Sequence, residues 1–362
     1  MERKLGISIY PSSQSFKEMK EYIELAHKYG YTRIFSSLLE IEGDQKTTES
    51  KFKKIFKIAK ELGFEICLDV NPKIFKALKI NPIELSFFNK LFVDIVRLDN
   101  PLHPMIISEM THNPYGIKIE LNISLGTKFL DDINDYEPIW DRIIGCHNFY
   151  PQNKTGLTYD YFIKTSSYAK KMNIRTAAFV SSSVAKIGPW PVSDGIPTLE
   201  QHRNLPIDVQ AKHLWATKFI DDILISNACA SETELKLLSN LDRYKLEFNI
   251  SLLKKTTPLE KKILFDHNHF RRGDLNEYTI RSSRTREIYS KESIKIHDNE
   301  SEALKGNIYI GNDTFENYKG ELQIALKNSE VDSRKNLVAT INKEELFLLD
   351  YVNSWTRFKF KK

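Results

Sequence analysis

Glu65-Ile66-Cys67-Leu68-Asp69, Ile95-Val96-Arg97-Leu98-Asp99 and Ile117-Lys118-Ile119-Glu120-Leu121-Asn122 are three short apolar runs, and each closes on a carboxylate or an amide. Each has the length of a strand, and a segment with room for a helix separates each from the next. Strands that alternate with helices pair in parallel, so their C-terminal ends share one edge. The acids therefore converge on a carboxylate-lined pocket.

The same unit recurs along the chain. Ala26-His-Lys-Tyr-Gly30, Ala59-Lys-Glu-Leu-Gly63 and Ala169-Lys-Lys-Met-Asn173 each lead into an apolar run. Gly and Asn are the residues that accept the left-handed conformation just past a helix. The helices before the first two joints carry apolar faces at helical spacing: Phe16, Met19, Ile23 and Ala26, then Phe52, Ile55, Phe56, Ala59 and Leu62. Ser13 and Thr48 are expected as their N-caps. Strands are expected at 5–10, 33–38, 65–70, 95–99, 117–123, 143–148, 175–181 and 222–227. Eight such units suit a (β/α)₈ barrel. A doubly wound open sheet is the alternative, and the lack of a Gly-rich phosphate loop after the first strand counts against it.

After about residue 243 the texture changes to short strands punctuated by Gly273, Gly306, Gly311 and Gly320. Residues 1–242 are thus expected to form the barrel and 243–362 a smaller, mostly β domain. Lys and Arg total 53 against 48 Asp and Glu, a net of +5 over 362 residues, too weak to argue for nucleic acid. No run approaches the roughly 18 apolar residues of a membrane span, and the N-terminus lacks the apolar core of a signal peptide. Cys67, Cys146 and Cys229 are far apart and are expected as buried thiols. Together these features point to a reducing, cytoplasmic setting. The oligomeric state stays open, with a homodimer as the alternative to a monomer.

In a parallel barrel, chemistry belongs to the strand ends. Those ends read Tyr10, Glu40, Asp69, Asp99, Glu120 with Asn122, His147 with Asn148, Ser181 to Ser183, and Asn227. Alternation aims Lys118, Glu120 and Asn122 together into the barrel, and Arg97 with Asp99 likewise. Neighbouring inward acids perturb each other and can divide the work of acid and base. Asp99 and Glu120 are the expected catalytic pair, with Asp69 as the substitute. Arg97, Asn122, His147, Asn148 and Tyr150 are expected to line the pocket. The long Gly- and Pro-rich stretch 181–205, which includes Trp190 and Pro191, reads as a binding loop that brings Glu200, His202 and Arg203 to the rim. No close-spaced metal-ligand set appears, so neither metal nor cofactor is expected. In the second domain Arg281 and Arg284 are candidate phosphate grips. Two other readings remain open: a non-catalytic phosphosugar-binding protein, and an isomerase or aldolase that would use Lys118.

Cys146-His-Asn-Phe-Tyr-Pro151, Gly195-Ile-Pro-Thr-Leu-Glu-Gln-His-Arg203 and Tyr318-Lys-Gly-Glu-Leu-Gln-Ile324, with Gly6-Ile-Ser-Ile-Tyr-Pro11 and Val96-Arg-Leu-Asp99, resemble segments of the bacterial 6-phospho-N-acetylmuramidase family. The resemblance spans nearly the whole chain. It implies a (β/α)₈ barrel followed by a cyclophilin-like β domain. It also implies hydrolysis of the β-1,4 bond between 6-phospho-N-acetylmuramic acid and N-acetylglucosamine during peptidoglycan recycling. The partner would then be that phosphorylated amino-sugar disaccharide.

Overall fold

The computed structural model describes residues 2–39, 44–189, 194–298, 302–330 and 332–362. The chain divides into two compact units, Met1–Asn240 and Leu241–Lys362.

In the first unit eight strands close a parallel barrel in chain order: β1 (Leu5–Ser8), β2 (Arg33–Ser37), β3 (Glu65–Val70), β4 (Ile95–Leu98), β5 (Lys118–Asn122), β6 (Ile143–Cys146), β7 (Arg175–Val180) and β8 (Asp222–Ile225). The expected (β/α)₈ architecture is therefore present. Between and after the strands run α1 (Phe16–Lys28), α2 (Gln45–Glu61), α3 (Pro72–Ala77), α4 (Ser86–Lys90), α5 (Pro104–Thr111), α6 (Phe129–Asn134), α7 (Tyr159–Lys171), α8 (Ile207–Ala216) and α9 (Glu232–Ser239). Gly30, Gly63 and Asn173 follow their helices at φ of 74°, 83° and 56°, as the αβ joints require.

Two helix starts differ from expectation. Ser15, not Ser13, caps α1, because its side chain and that of Glu18 satisfy each other's backbone N–H groups in a capping box. Asp44, not Thr48, caps α2 by accepting from the Thr47 N–H. Thr48 lies a turn inside, and its hydroxyl donates back to the Asp44 carbonyl. Cys67 and Cys146 are buried, but Cys229 is only partly so. It sits at φ 66° in the loop after β8, where its sulfur accepts from Gln14 Nε2.

Alternation decides what fills the barrel. Phe35, Cys67, Ile95, Ile144, Cys146, Ala177, Phe179 and Leu224 form one apolar cluster from the inward faces. Charged side chains share that interior. Arg33 Nη2 donates to Glu120 Oε2 at 2.7 Å and Nη1 to Asp222 Oδ2 at 2.8 Å, with all three side chains fully buried. Lys118 shares the inward parity of Glu120, opposite Ile95 of the interior cluster. It is the first residue of β5, and its ammonium donates to Glu65, the first residue of β3, at 2.9 Å. That puts it at the N-terminal end, opposite the strand ends where chemistry belongs, so it is no Schiff-base lysine for a pocket there.

The second unit holds β9 (Leu246–Leu252), α10 (Pro258–Phe265), β10 (His269–Phe270), β11 (Thr279–Ser282), α11 (Arg284–Ile288), β12 (Glu302–Ala303), β13 (Asn307–Gly311), β14 (Leu322–Ala325), β15 (Ser329–Glu330), β16 (Lys335–Ile341) and β17 (Arg357–Lys361). Seven strands form a sheet in the order β10-β17-β9-β16-β13-β14-β11, antiparallel except for the β9–β17 pair, and β12 pairs with β15 alone.

Removing one member of a buried ion pair strands the charge left behind, which costs about 3–5 kcal/mol. Arg33→Met leaves Glu120 without its closest partner, so the unfolding free energy of the first unit, measured by urea titration, falls by an amount in that range.

Candidate active site

Arg97 is the hub of the strand ends. It leaves β4 facing inward and is 2% exposed. Its Nη1 donates to Asp69 Oδ1 at 2.5 Å and lies 3.5 Å from Asp99 Oδ1. Its Nη2 donates to Asn148 Oδ1. Its Nε lies 3.9 Å from Glu120 Oε1, with no hydrogen-bond partner. One guanidinium thus gathers groups from β3, β4, β5 and the end of β6.

The three acids have unequal settings. The Asp99 side chain keeps 27% of its surface exposed, so it can meet a ligand. Glu120 is fully buried, with one oxygen toward Arg33 and the other toward Cys67 and Arg97. It lacks an open side, so the geometry favours Asp69 over Glu120 as the partner of Asp99. The Asp69 side chain is 4% exposed. Burial pushes its carboxyl up to about 7 against the pull of Arg97, and the nearby Asp99 and Glu120 charges push the same way. Because Asp69 and Asp99 share one Arg97 nitrogen, the two distances together cap their oxygens at about 6 Å apart, close to the roughly 5 Å spacing of retaining glycosidases.

Around this core stand Asn122, Tyr150 and Tyr10. Asn122 Nδ2 donates to the Asp99 carbonyl at 3.2 Å while its Oδ1 accepts from the Ser124 N–H, so it fixes the Asp99 turn. Burial raises the Tyr150 phenol, which lies near Ser124, Arg97 and Asp99. Tyr10 donates its phenolic proton to the Ser226 carbonyl at 2.6 Å, closing the ring between β1 and β8.

Several residues expected at the pocket serve the scaffold instead. His147 turns away from the barrel axis toward the helices. Its Nε2 pairs with Ser166 Oγ of α7 at 2.8 Å, its Nδ1 with Ser124 Oγ at 3.2 Å, and its ring packs on Phe162. Burial pulls it down to about 3, so it is neutral and closed off. His202 is likewise buried, with Nε2 2.6 Å from His213 Nδ1 of α8. Glu200 and Arg203 bind each other through two short hydrogen bonds. Glu200 also accepts from the Lys154 and Gly156 N–H groups, while Arg203 donates to the Asp194, Gly195, Tyr150 and Gln152 carbonyls. Every N–H of Arg203 is spent on clasping the loops after β6 and β7, which leaves none for a phosphate. Asn227 likewise braces Ser182 through both its backbone groups. Arg281 and Arg284 belong to the second unit. Glu40, Trp190 and Pro191 lie outside the described residues.

Arg33 and Asp222 escaped the sequence reading. The signal was present: in Arg33-Ile-Phe-Ser-Ser37 the arginine shares the inward parity of Phe35, as Arg97 does on β4. Among the described residues, no group of three or more His, Cys, Asp or Glu could hold a metal ion.

The first unit is thus a closed parallel barrel with an arginine-bridged pair of acids at its strand ends. The chain is a member of the 6-phospho-N-acetylmuramidase family: the model of that family's N-terminal part matches residues 5–240, and that of its C-terminal part matches residues 246–361. The family name describes a glycosidase. An uncharacterized B. cereus protein of known crystal structure is 46% identical, with full coverage of both chains and a TM-score of 0.94. A conserved Enterococcus faecalis protein of unknown function shares the fold at 22% identity and a TM-score of 0.74, over 99% of this chain and 96% of that one. No curated protein matches the sequence.

Followed by carboxyl-carbon NMR, Asp69 should titrate near pH 7. In Asp99→Asn its midpoint moves down, because a neighbouring negative charge that resists ionisation has gone.

Proposed function

We propose that this protein hydrolyses the β-1,4 bond between 6-phospho-N-acetylmuramic acid and N-acetylglucosamine, with Asp69 and Asp99 as the acting carboxylates. The observation that carries this reading is the single arginine shared by two acids, one raised to about 7 and the other open at the mouth. Asp69, protonated near neutral pH, gives its proton to the departing sugar oxygen. Asp99, held by Arg97 and through its carbonyl by Asn122, faces the anomeric carbon and stabilises or attacks it. The cap on their separation favours retention of configuration. Arg97 adjusts both acids and is not free to act as a phosphate clamp. Asn148 and Tyr150 line the approach. The family name supports the phosphorylated muramic-acid substrate. Such a disaccharide arises by phosphorylating uptake, which sets the reaction in the cytoplasm as a step of cell-wall recycling.

Purified protein incubated with the phosphorylated disaccharide, with and without chelator, should release N-acetylglucosamine in both cases. Asp69→Asn and Asp99→Asn should each lower turnover at least ~100-fold, the usual scale for such a group. The sign of the pH dependence follows from the role of Asp69. A general acid works protonated, so turnover falls as the pH rises through about 7. Wild-type turnover in either variant removes that residue from the pair, and binding without turnover removes the hydrolytic reading.

A further inference from the structure

Two basic and polar segments of the second unit, Arg281 to Arg286 and Tyr318 to Gln323, find no use in the barrel chemistry, yet they fold onto each other. Arg281 and Gln323 face each other across β11 and β14, and Gln323 faces Tyr309 on β13. Opposed residues of paired strands share a face, so these side chains stand together on one side of the sheet. Just before β14 comes Glu321, which is fully buried. Arg281 grips it in a fork, Nε to Oε1 at 2.7 Å and Nη2 to Oε2 at 3.1 Å. Gln323 Nε2 donates to the same carboxylate at 2.9 Å, and Arg286 Nη1 lies 3.4 Å from it. Both guanidiniums sit 5.5 Å from the centre of the Tyr318 ring. Gly311 lets this loop come close, since a Cβ there would lie 2.4 Å from the Tyr318 carbonyl oxygen.

The charges do not balance. Asp274 is held by Arg272 in a fork, and Asp332 by Arg334 in another. Glu321 is then the carboxylate that Arg281 and Arg286 share, while Lys335 is answered first by Asp332 and only then by Glu321. The Arg281 and Arg286 side chains stay 25% and 27% exposed, and neither spends all its N–H groups on Glu321. Burial depresses the Lys335 ammonium against the pull of Asp332 and Glu321. Lys335 and Gln323 also line a small cleft with Thr279, Tyr309, Glu330 and Asp332.

We infer that the second unit carries its own binding site for a phosphomonoester, formed by Arg281 and Arg286 over Tyr318, with Lys335 at its edge and Glu321 as the buried anchor that aims the arginines. Two guanidiniums on one carboxylate leave about one positive charge and unspent N–H groups, and their planar forks match the several oxygens of a phosphomonoester. The site lies wholly within the second unit and does not depend on what the barrel hydrolyses.

Calorimetric titration of the full chain with methyl phosphate and with acetate tests it. Methyl phosphate should bind with a dissociation constant below about 1 mM, and acetate at least tenfold more weakly. Arg286→Gln, which breaks only the longest contact to Glu321, should weaken methyl phosphate at least tenfold with an unchanged melting temperature. Lys335→Gln should weaken it several-fold. Asp69→Asn, altered in the barrel, should bind methyl phosphate like the parent. Unchanged affinity in both Arg286→Gln and Lys335→Gln overturns the site, as does acetate binding as tightly as methyl phosphate or loss of binding in Asp69→Asn.

Discussion

Glu120 shared between Arg33 and Arg97 is the interaction on which the barrel's interior depends. Ionised groups resist leaving water, and the attraction inside repays that cost only when geometry is good and each charge has its partner. Here β2, β3, β4, β5 and β8 must each bring one residue to the right height, because Arg33 also needs Asp222 and Arg97 also needs Asp69. A one-residue slip in any of these strands would turn its charge outward among the helices. The network therefore does more for the uniqueness of the register than for net stability. The site inherits its accuracy from that register: Arg97 stands opposite Glu120 on the neighbouring strand and pairs with the two acids at the mouth.

Around the barrel, many residues with chemical side chains are consumed by holding loops. Glu200 and Arg203 clasp the segments after β6 and β7, His147 ties β6 to α7, and Glu234 caps α9 while accepting from Ser182 and Ser183. The physical reason is common to all. Long βα loops carry backbone N–H and C=O groups that must find partners near a dry interior, and charged or amide side chains supply them. A rigid rim follows, which a site that positions two carboxylates within one arginine's reach requires.

The second unit repeats the theme with the balance altered. In the barrel Arg33 is answered by Glu120, Asp222 and Glu65 and Arg97 by Asp69, Asp99 and Glu120, whereas on the β11–β14 face Arg281 and Arg286 share one carboxylate. Complete pairing makes a scaffold, and incomplete pairing at partly exposed arginines makes a place for an anion.

The sequence by itself determined the repeated β/α unit, through Gly30, Gly63 and Asn173 past their helices, and the inward parity of Arg97, Glu120 and Asn122, through alternation. These are local rules, set by backbone sterics and a two-residue period, so they are legible along the chain. The helix caps were misplaced by a few residues because Ser13 and Ser15 are chemically alike, and only Ser15 stands three residues before Glu18. The roles of the acids needed the tertiary structure. Asp69, Asp99 and Glu120 look equivalent as residues. Which is open, which is sealed and which keeps a proton near pH 7 depends on solvent exclusion and on charges delivered by other strands. Arg33 reaches Glu120 from 87 residues away, a distance over which sequence pattern carries no signal of contact.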